Sequence, residues 1–273
     1  MTTVVSCVNL KGGVGKTAIA VNFAAYCGAH GLKTLLVDLD PQTNATFSCV
    51  SPEKWAAHKK TNGTVADLLG VKNGDTAEGN SKSAKDVILK DVFSGVDLIP
   101  SDLQLFTIDL DIGARTARET LLKKALKGVL EEYDIVVCDC PPNLTLPTQN
   151  ALAISTHYVI PVSPDFLSSL GIALLITRVK KFGDDMDLTI KNAGIVLSRV
   201  GRPSAFRDQT AADLREQFPK EMLKTEIKER SVVTEATAKN KSVFDMGDKD
   251  AKSEFTAFSK ELIESLGVKN ENP

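Results

Sequence analysis

Lys11-Gly12-Gly13-Val14-Gly15-Lys16-Thr17 follows directly on the apolar run Val4 to Val8, and residues of these types in this order are suited to holding phosphate groups. Glycines let successive backbone N–H groups turn inward around an anion, and a helix starting at the same point adds the positive end of its dipole. The backbone from Gly12 to Ala18 forms the expected cradle. Lys16 is placed to reach the β- and γ-phosphates of a nucleotide, and the Thr17 hydroxyl to ligate Mg2+. The common form of such a loop begins with glycine where this chain has Leu10, and a second lysine, Lys11, comes next. Taken singly, a glycine-rich run is a turn and an extra lysine a solvated charge; the combination after a buried strand is what points to chemistry.

A sheet must present this loop. Val4–Val8, Thr34–Val37, Val96–Ile99, Ile135–Val137, Tyr158–Val162 and Gly194–Leu197 are short apolar runs that read as buried parallel strands. Helical patterns at Thr17–Gly28, Arg118–Glu132, Ser168–Phe182 and Ser204–Phe218 alternate with them. Strands alternating with helices predict one α/β domain over 1–273, a doubly wound, mostly parallel sheet flanked by helices, with ligand at the carboxyl ends of the strands. Residues 51–86 break the regularity and read as a partly mobile surface excursion, with Trp55 as its packing anchor. Residues 253–266 put Phe255, Phe258, Leu262 and Leu266 on one stripe, as in a helix docked on the domain.

At 273 residues, 42% hydrophobic and 25% charged, the chain has the composition of a soluble globular protein with a full core. No run approaches the ~20 apolar residues of a membrane span, and MTTVVSC lacks the basic and apolar regions of a secretory signal. Five cysteines without a CxxC pair suggest reduced thiols rather than zinc or a redox centre. The net charge of −2 hides an asymmetry, because Arg199 to Lys241 holds ten basic against seven acidic residues while Ser242 onward holds four against seven. The first stretch suits either a face that contacts DNA or a solvated mixed-charge surface.

KGGVGKT resembles the deviant Walker A motif of the ParA/MinD family of P-loop ATPases, in which the first lysine crosses a dimer to the partner's nucleotide. VDLDPQTNAT (Val37 to Thr46) resembles that family's switch I, and IVVCDCPPNLTLPTQNAL (Ile135 to Leu152) its Walker B strand and switch II. IPVSPDFLSSLGIALL (Ile160 to Leu175) resembles the next strand and helix. All fall in family order, nearest to the ParA/Soj-type partition proteins. The resemblance implies an ATPase using ATP and Mg2+, cytoplasmic and nucleoid-associated. It would form a homodimer around nucleotide, bind DNA without sequence preference, and be released when a ParB-like or other adaptor stimulates hydrolysis. It assigns Lys16 and Lys11 to charge stabilisation in cis and in trans, Asp40 to positioning water, and Asp139 with Thr17 to the metal. Asp40 and Asp38 are further metal candidates.

By the same resemblance the base sits after Gly194–Leu197 and near Ile227–Thr237, although the family's IPRNVRLSEAP pattern there lacks its proline and first arginine. Arg202 stands near a family DNA-binding arginine, and Arg230, Lys239 and Lys241 are further DNA candidates. MinD-type relatives end in a basic helix that lies on membranes. Here Glu254, Glu261, Glu264 and Glu271 leave no basic face beside the stripe, so no membrane contact is expected. The alternatives are a MinD-like membrane organiser, an iron–sulfur reductase of the superfamily, whose cysteine positions this chain does not match, and an ATP-dependent small-molecule ligase.

Overall fold

The carboxyl ends of three neighbouring central strands gather the motifs that the sequence keeps far apart. The computed structural model describes residues 2–71, 82–165, 168–201 and 204–268. Its strands are β1 (Thr3–Cys7), β2 (Thr34–Asp38), β3 (Leu89–Phe93), β4 (Val96–Ile99), β5 (Ile135–Asp139), β6 (His157–Val162), β7 (Lys191–Val200) and β8 (Met222–Lys228). They form one sheet in the order β3-β4-β2-β5-β1-β6-β7-β8. Every pair is parallel except β3 with β4, which makes the doubly wound α/β arrangement the alternating pattern implied.

The helices are α1 (Lys16–Ala29), α2 (Asn44–Cys49), α3 (Pro52–Asn62), α4 (Val65–Leu68), α5 (Ala84–Val87) and α6 (Ile108–Asp111). They continue with α7 (Leu121–Ala125), α8 (Leu146–Ile154), α9 (Ser168–Asp185), α10 (Ala205–Gln217), α11 (Ser231–Ala238) and α12 (Lys249–Leu266). Alternate strand residues face opposite layers. Val4, Leu35, Val136 and Ile160 meet α4, α7, α8 and α9, while Val5, Leu36, Val137 and Val159 meet α1 and α12.

The helix α1 is apolar nearly all round because sheet and α12 enclose it. Phe23 and Phe258 meet edge-on at 6.1 Å, and Gly28 lets the helix backbone lie against Ser94, Gly95 and Val96. Phe255, Phe258, Leu262 and Leu266 of α12 are all buried, so the stripe is spent on the domain's own core. Among the described residues no helix is long and apolar enough to cross a membrane.

Three features differ from the sequence expectation. The strands β3 and β8 lie at the sheet edges, half exposed, so neither shows the continuous apolar run of a buried parallel strand. The expected helix Arg118–Glu132 is broken. After α7 the chain turns at Gly128, φ +79°, a conformation glycine adopts without a Cβ clash, and closes with a single 3-10 turn at Leu130–Glu132. The segment after residue 50 is more ordered than an excursion: Val65, Ala66 and Leu69 are buried. Trp55 anchors it, donating its Nε1–H to Ser101 O at 3.0 Å and meeting Phe47 edge-on at 5.5 Å. Residues 72–81 of the excursion expected to be partly mobile lie outside the described residues.

Candidate active site

The phosphate loop leaves β1 and enters α1 through Gly13 and Gly15, with φ +74° and +85°. Such angles fold successive peptides into a concave nest. Lys16 turns back over the loop, its Nζ donating to Lys11 O at 3.0 Å. Burial lowers its pKa, while Asp139 and Asp40 pull in the opposite direction. Thr17 and Ala18 line the cleft above, a cavity of about 520 Å³ that also reaches Asp40, Pro142 and the segment Ile227–Arg230.

Asp139 ends β5 directly beside Asp38, its register partner on β2. Both are fully buried. Asp38 is satisfied: Oδ2 accepts from Thr46 N at 2.8 Å and Thr46 Oγ1 at 2.7 Å, and Oδ1 from Asp40 N at 3.1 Å. Burial nonetheless pushes Asp38 up to about 7. Asp139 is different. Neither of its oxygens has a hydrogen-bond partner among the described residues. Burial raises its pKa well above the carboxylate range and the Asp38 charge adds to this, while Thr17 and Lys16 favour the ionised form without completing a hydrogen bond. Asp40 lies at the cleft wall with its Oδ1 accepting from Gln42 N at 2.9 Å, and Ser101 Oγ donates to its carbonyl at 2.7 Å.

Lys16, Thr17, Asp40 and Asp139 therefore lie together around the mouth of the phosphate loop. Asp38, read as a possible metal ligand, has both oxygens engaged in fixing the loop after β2. Lys11 stands apart at the rim, exposed, with Nζ 2.5 Å from Asp165 Oδ2 of its own chain. Of the DNA candidates, Lys239 and Lys241 are exposed, and Arg202 lies outside the described residues. Arg230 is mostly covered and is held by Glu254 at 2.7 Å and Asp250 at 3.5 Å, which leaves it poorly placed for a phosphate backbone.

Sequence reasoning missed Ser198 and Arg199 at the end of β7 and their partner Glu229. Ser198 Oγ donates to Val14 O at 2.5 Å, and Arg199 Nη1 to Gly13 O at 2.7 Å. The available signal was positional: residues closing a parallel strand at its carboxyl end face the ligand crevice.

The AAA_31 family model, described as an AAA domain, matches residues 2–192. The sporulation initiation inhibitor protein Soj of Bacillus subtilis (strain 168) is 31% identical over 243 residues, which cover 89% of this chain and 90% of Soj. This chain belongs to the ParA/MinD family of deviant Walker A ATPases. A second family relative, the chromosome partitioning protein ParA of Caulobacter vibrioides, is 27% identical over 88% of the chain and 85% of its own length. The same fold recurs in cobyrinic acid a,c-diamide synthase from Mycobacterium smegmatis, solved with an ATP analog and magnesium. That structure superposes with a TM-score of 0.79 at 23% identity, covering all of this chain and 98% of the other.

Proposed function

We propose that this protein is an ATP-dependent partition or positioning ATPase. It dimerises around ATP, binds DNA without sequence preference in that state, and is released when a partner protein stimulates hydrolysis. The observation that carries the reading is the orphaned carboxylate of Asp139, buried beside Thr17 and Lys16 at the mouth of the phosphate loop. A buried carboxylate without partners is strongly unfavourable, and a cation bound there relieves it. Carboxylate and hydroxyl oxygens form a hard donor set that fits Mg2+, with Thr17 and Asp139 as its holders and Asp40 nearby. Mg2+ supplies neutralisation of the phosphate charge.

The chain's own groups do the rest. Lys16 leaves the Lys11 carbonyl and pairs with the terminal phosphates. Asp40, fixed from both sides by Gln42 and Ser101, orients the attacking water. Lys11 reaches the partner's nucleotide after parting from Asp165, an exposed ion pair of a kind worth only about 0–1 kcal/mol. Hydrolysis then depends on dimerisation, because each site borrows a lysine.

Burial of the α12 stripe argues against a MinD-like membrane anchor. Burial of all five cysteines argues against an iron–sulfur cluster bridged between subunits. The test is Asp40→Ala, which should bind ATP and run as a dimer by size-exclusion chromatography with light scattering, without turnover. A variant that stays monomeric with ATP, or hydrolyses at the wild-type rate, removes the role given to Asp40.

A further inference from the structure

Two residues with no part in the proposed chemistry hold the phosphate loop by its carbonyls from the wall of the same cleft. Ser198 is buried, and its Oγ donates to the Val14 carbonyl at 2.5 Å. Arg199 is half exposed, and its Nη1 donates to the Gly13 carbonyl at 2.7 Å. A trans peptide points its C=O and the next residue's N–H in opposite directions, and no cis bond is present among the described residues. Fixing the Gly13 carbonyl outward thus fixes the Val14 N–H inward, and fixing the Val14 carbonyl does the same for the Gly15 N–H.

We infer that Ser198 and Arg199 are positioning residues of the phosphate site, presetting two consecutive N–H donors of the nest through the carbonyls behind them. The inference rests on the nucleotide-binding reading of this loop. Two further observations support it. Arg199 has φ +50°, a left-handed conformation uncommon for a residue with a Cβ, at the point where β7 shifts register against β8. Its guanidinium also receives Glu229, with Nη2 at 2.5 Å and Nε at 3.2 Å from Oε1. The arginine charge is therefore matched within the chain, and Arg199 acts by orientation rather than as a cation for phosphate. The planar fork that serves Gly13 and Glu229 at once is a geometry lysine cannot reproduce.

The two close neighbours also explain the space at the loop. A Cβ at Gly13 would sit 3.5 Å from Arg199 Nη1 and one at Gly15 3.6 Å from Arg199 Cγ, so the arginine lies close against both glycines.

Calorimetric titration of the full chain with ADP and with inorganic pyrophosphate tests this, using Ser198→Ala, Ser198→Thr, Arg199→Met and Arg199→Lys, with thermal melts as a fold control. Ser198→Ala and Arg199→Met should each weaken ADP about tenfold, the scale of one misaimed charge-assisted hydrogen bond. Pyrophosphate, which reads the nest without the base, should weaken by a similar factor. Ser198→Thr should restore ADP affinity, and Arg199→Lys should not. A loss for ADP with pyrophosphate binding unchanged would place the two residues at the base and overturn the inference, as would unchanged ADP binding in Ser198→Ala. Full recovery by Arg199→Lys would overturn it too, since charge would then suffice. A wild-type chain that binds no ADP would instead remove the nucleotide reading itself, and this inference with it.

Discussion

Asp38 and Asp139 are lateral neighbours at the ends of β2 and β5, yet among the described residues Asp38 accepts three hydrogen bonds and Asp139 none. The division has a physical sense. One carboxylate is consumed in shaping the loop that carries Asp40, and the other is left bare toward the phosphate loop. Both stand above the ordinary carboxylate range because burial disfavours the charged form.

That arrangement makes stability depend on pH with a definite sign. A carboxyl whose folded pKa is raised holds a proton the unfolded chain has already lost, so its contribution falls as pH rises above the unfolded value. The slope is about 1.4 kcal/mol per pH unit for each such proton. Asp139→Asn removes that loss. Without Mg2+, the variant should melt higher than the wild type, by a margin that is wider at pH 6 than at pH 4.5. With Mg·ATP the wild type should regain the difference, because the bound cation stabilises the ionised carboxylate. Differential scanning fluorimetry at both pH values decides it, and a margin that narrows with pH would contradict the burial argument.

Gly28 tests the packing that aims α1 at the site. A Cβ there would meet the Ser94 carbonyl oxygen and stand 2.6 Å from Val96 Cγ2. Gly28→Ala, usually favourable within a helix, should here destabilise the protein by about 1–3 kcal/mol through overpacking against backbone. Urea denaturation would show a lower midpoint with an unchanged slope. A rise in midpoint would mean that the turn at Ser94–Gly95 yields freely.

The two loop lysines should separate binding from turnover. Lys16 is buried with its amine over the nest, whereas Lys11 is exposed and paired with Asp165. Lys16→Ala should abolish ATP binding. Lys11→Ala should keep wild-type affinity within a fewfold and lose the hydrolysis that depends on dimerisation. Fluorescent-nucleotide titration beside a phosphate-release assay reads both, and equal loss of affinity in the two variants would rule out the division of labour.

Much of this was legible in the sequence because the centre of the sheet is buried on both faces. Continuous apolar runs such as Ile135–Val137 mark such strands without ambiguity, and the glycines and lysines between them have few other uses. Three kinds of feature were hidden. The edge strands β3 and β8 mix polar and apolar residues because one side meets water. Gly128 interrupts a helical pattern that is otherwise continuous, and the chain turns there in a left-handed conformation. Ser198, Arg199 and Glu229 are ordinary polar residues whose role comes from lying across the sheet from Gly13 and Val14, more than 180 positions away in the case of Ser198 and Val14. No local pattern encodes that separation.

DNA contact is the last expectation that the structure sharpens. Lys239 and Lys241 follow α11 and are exposed, while Arg230 is tied to Glu254 and Asp250. If the ATP dimer sets two such surfaces side by side, each phosphate neutralised releases counterions, and the logarithm of affinity falls against that of salt by about 0.9 per contact. Lys239→Ala and Lys241→Ala should each lower the slope by about two in a symmetric dimer, one contact per subunit. Arg230→Ala should leave the slope unchanged and lower the melting temperature, because it removes the close ion pair with Glu254 and leaves that carboxylate only the more distant Lys228 at 3.9 Å. Filter binding to random-sequence DNA across a salt series, with ATP and with ADP, measures all three. Binding that is equal in both nucleotide states would separate DNA contact from dimerisation, and a slope that falls only in Arg230→Ala would move the DNA face from the end of α11 to the cleft beside α12.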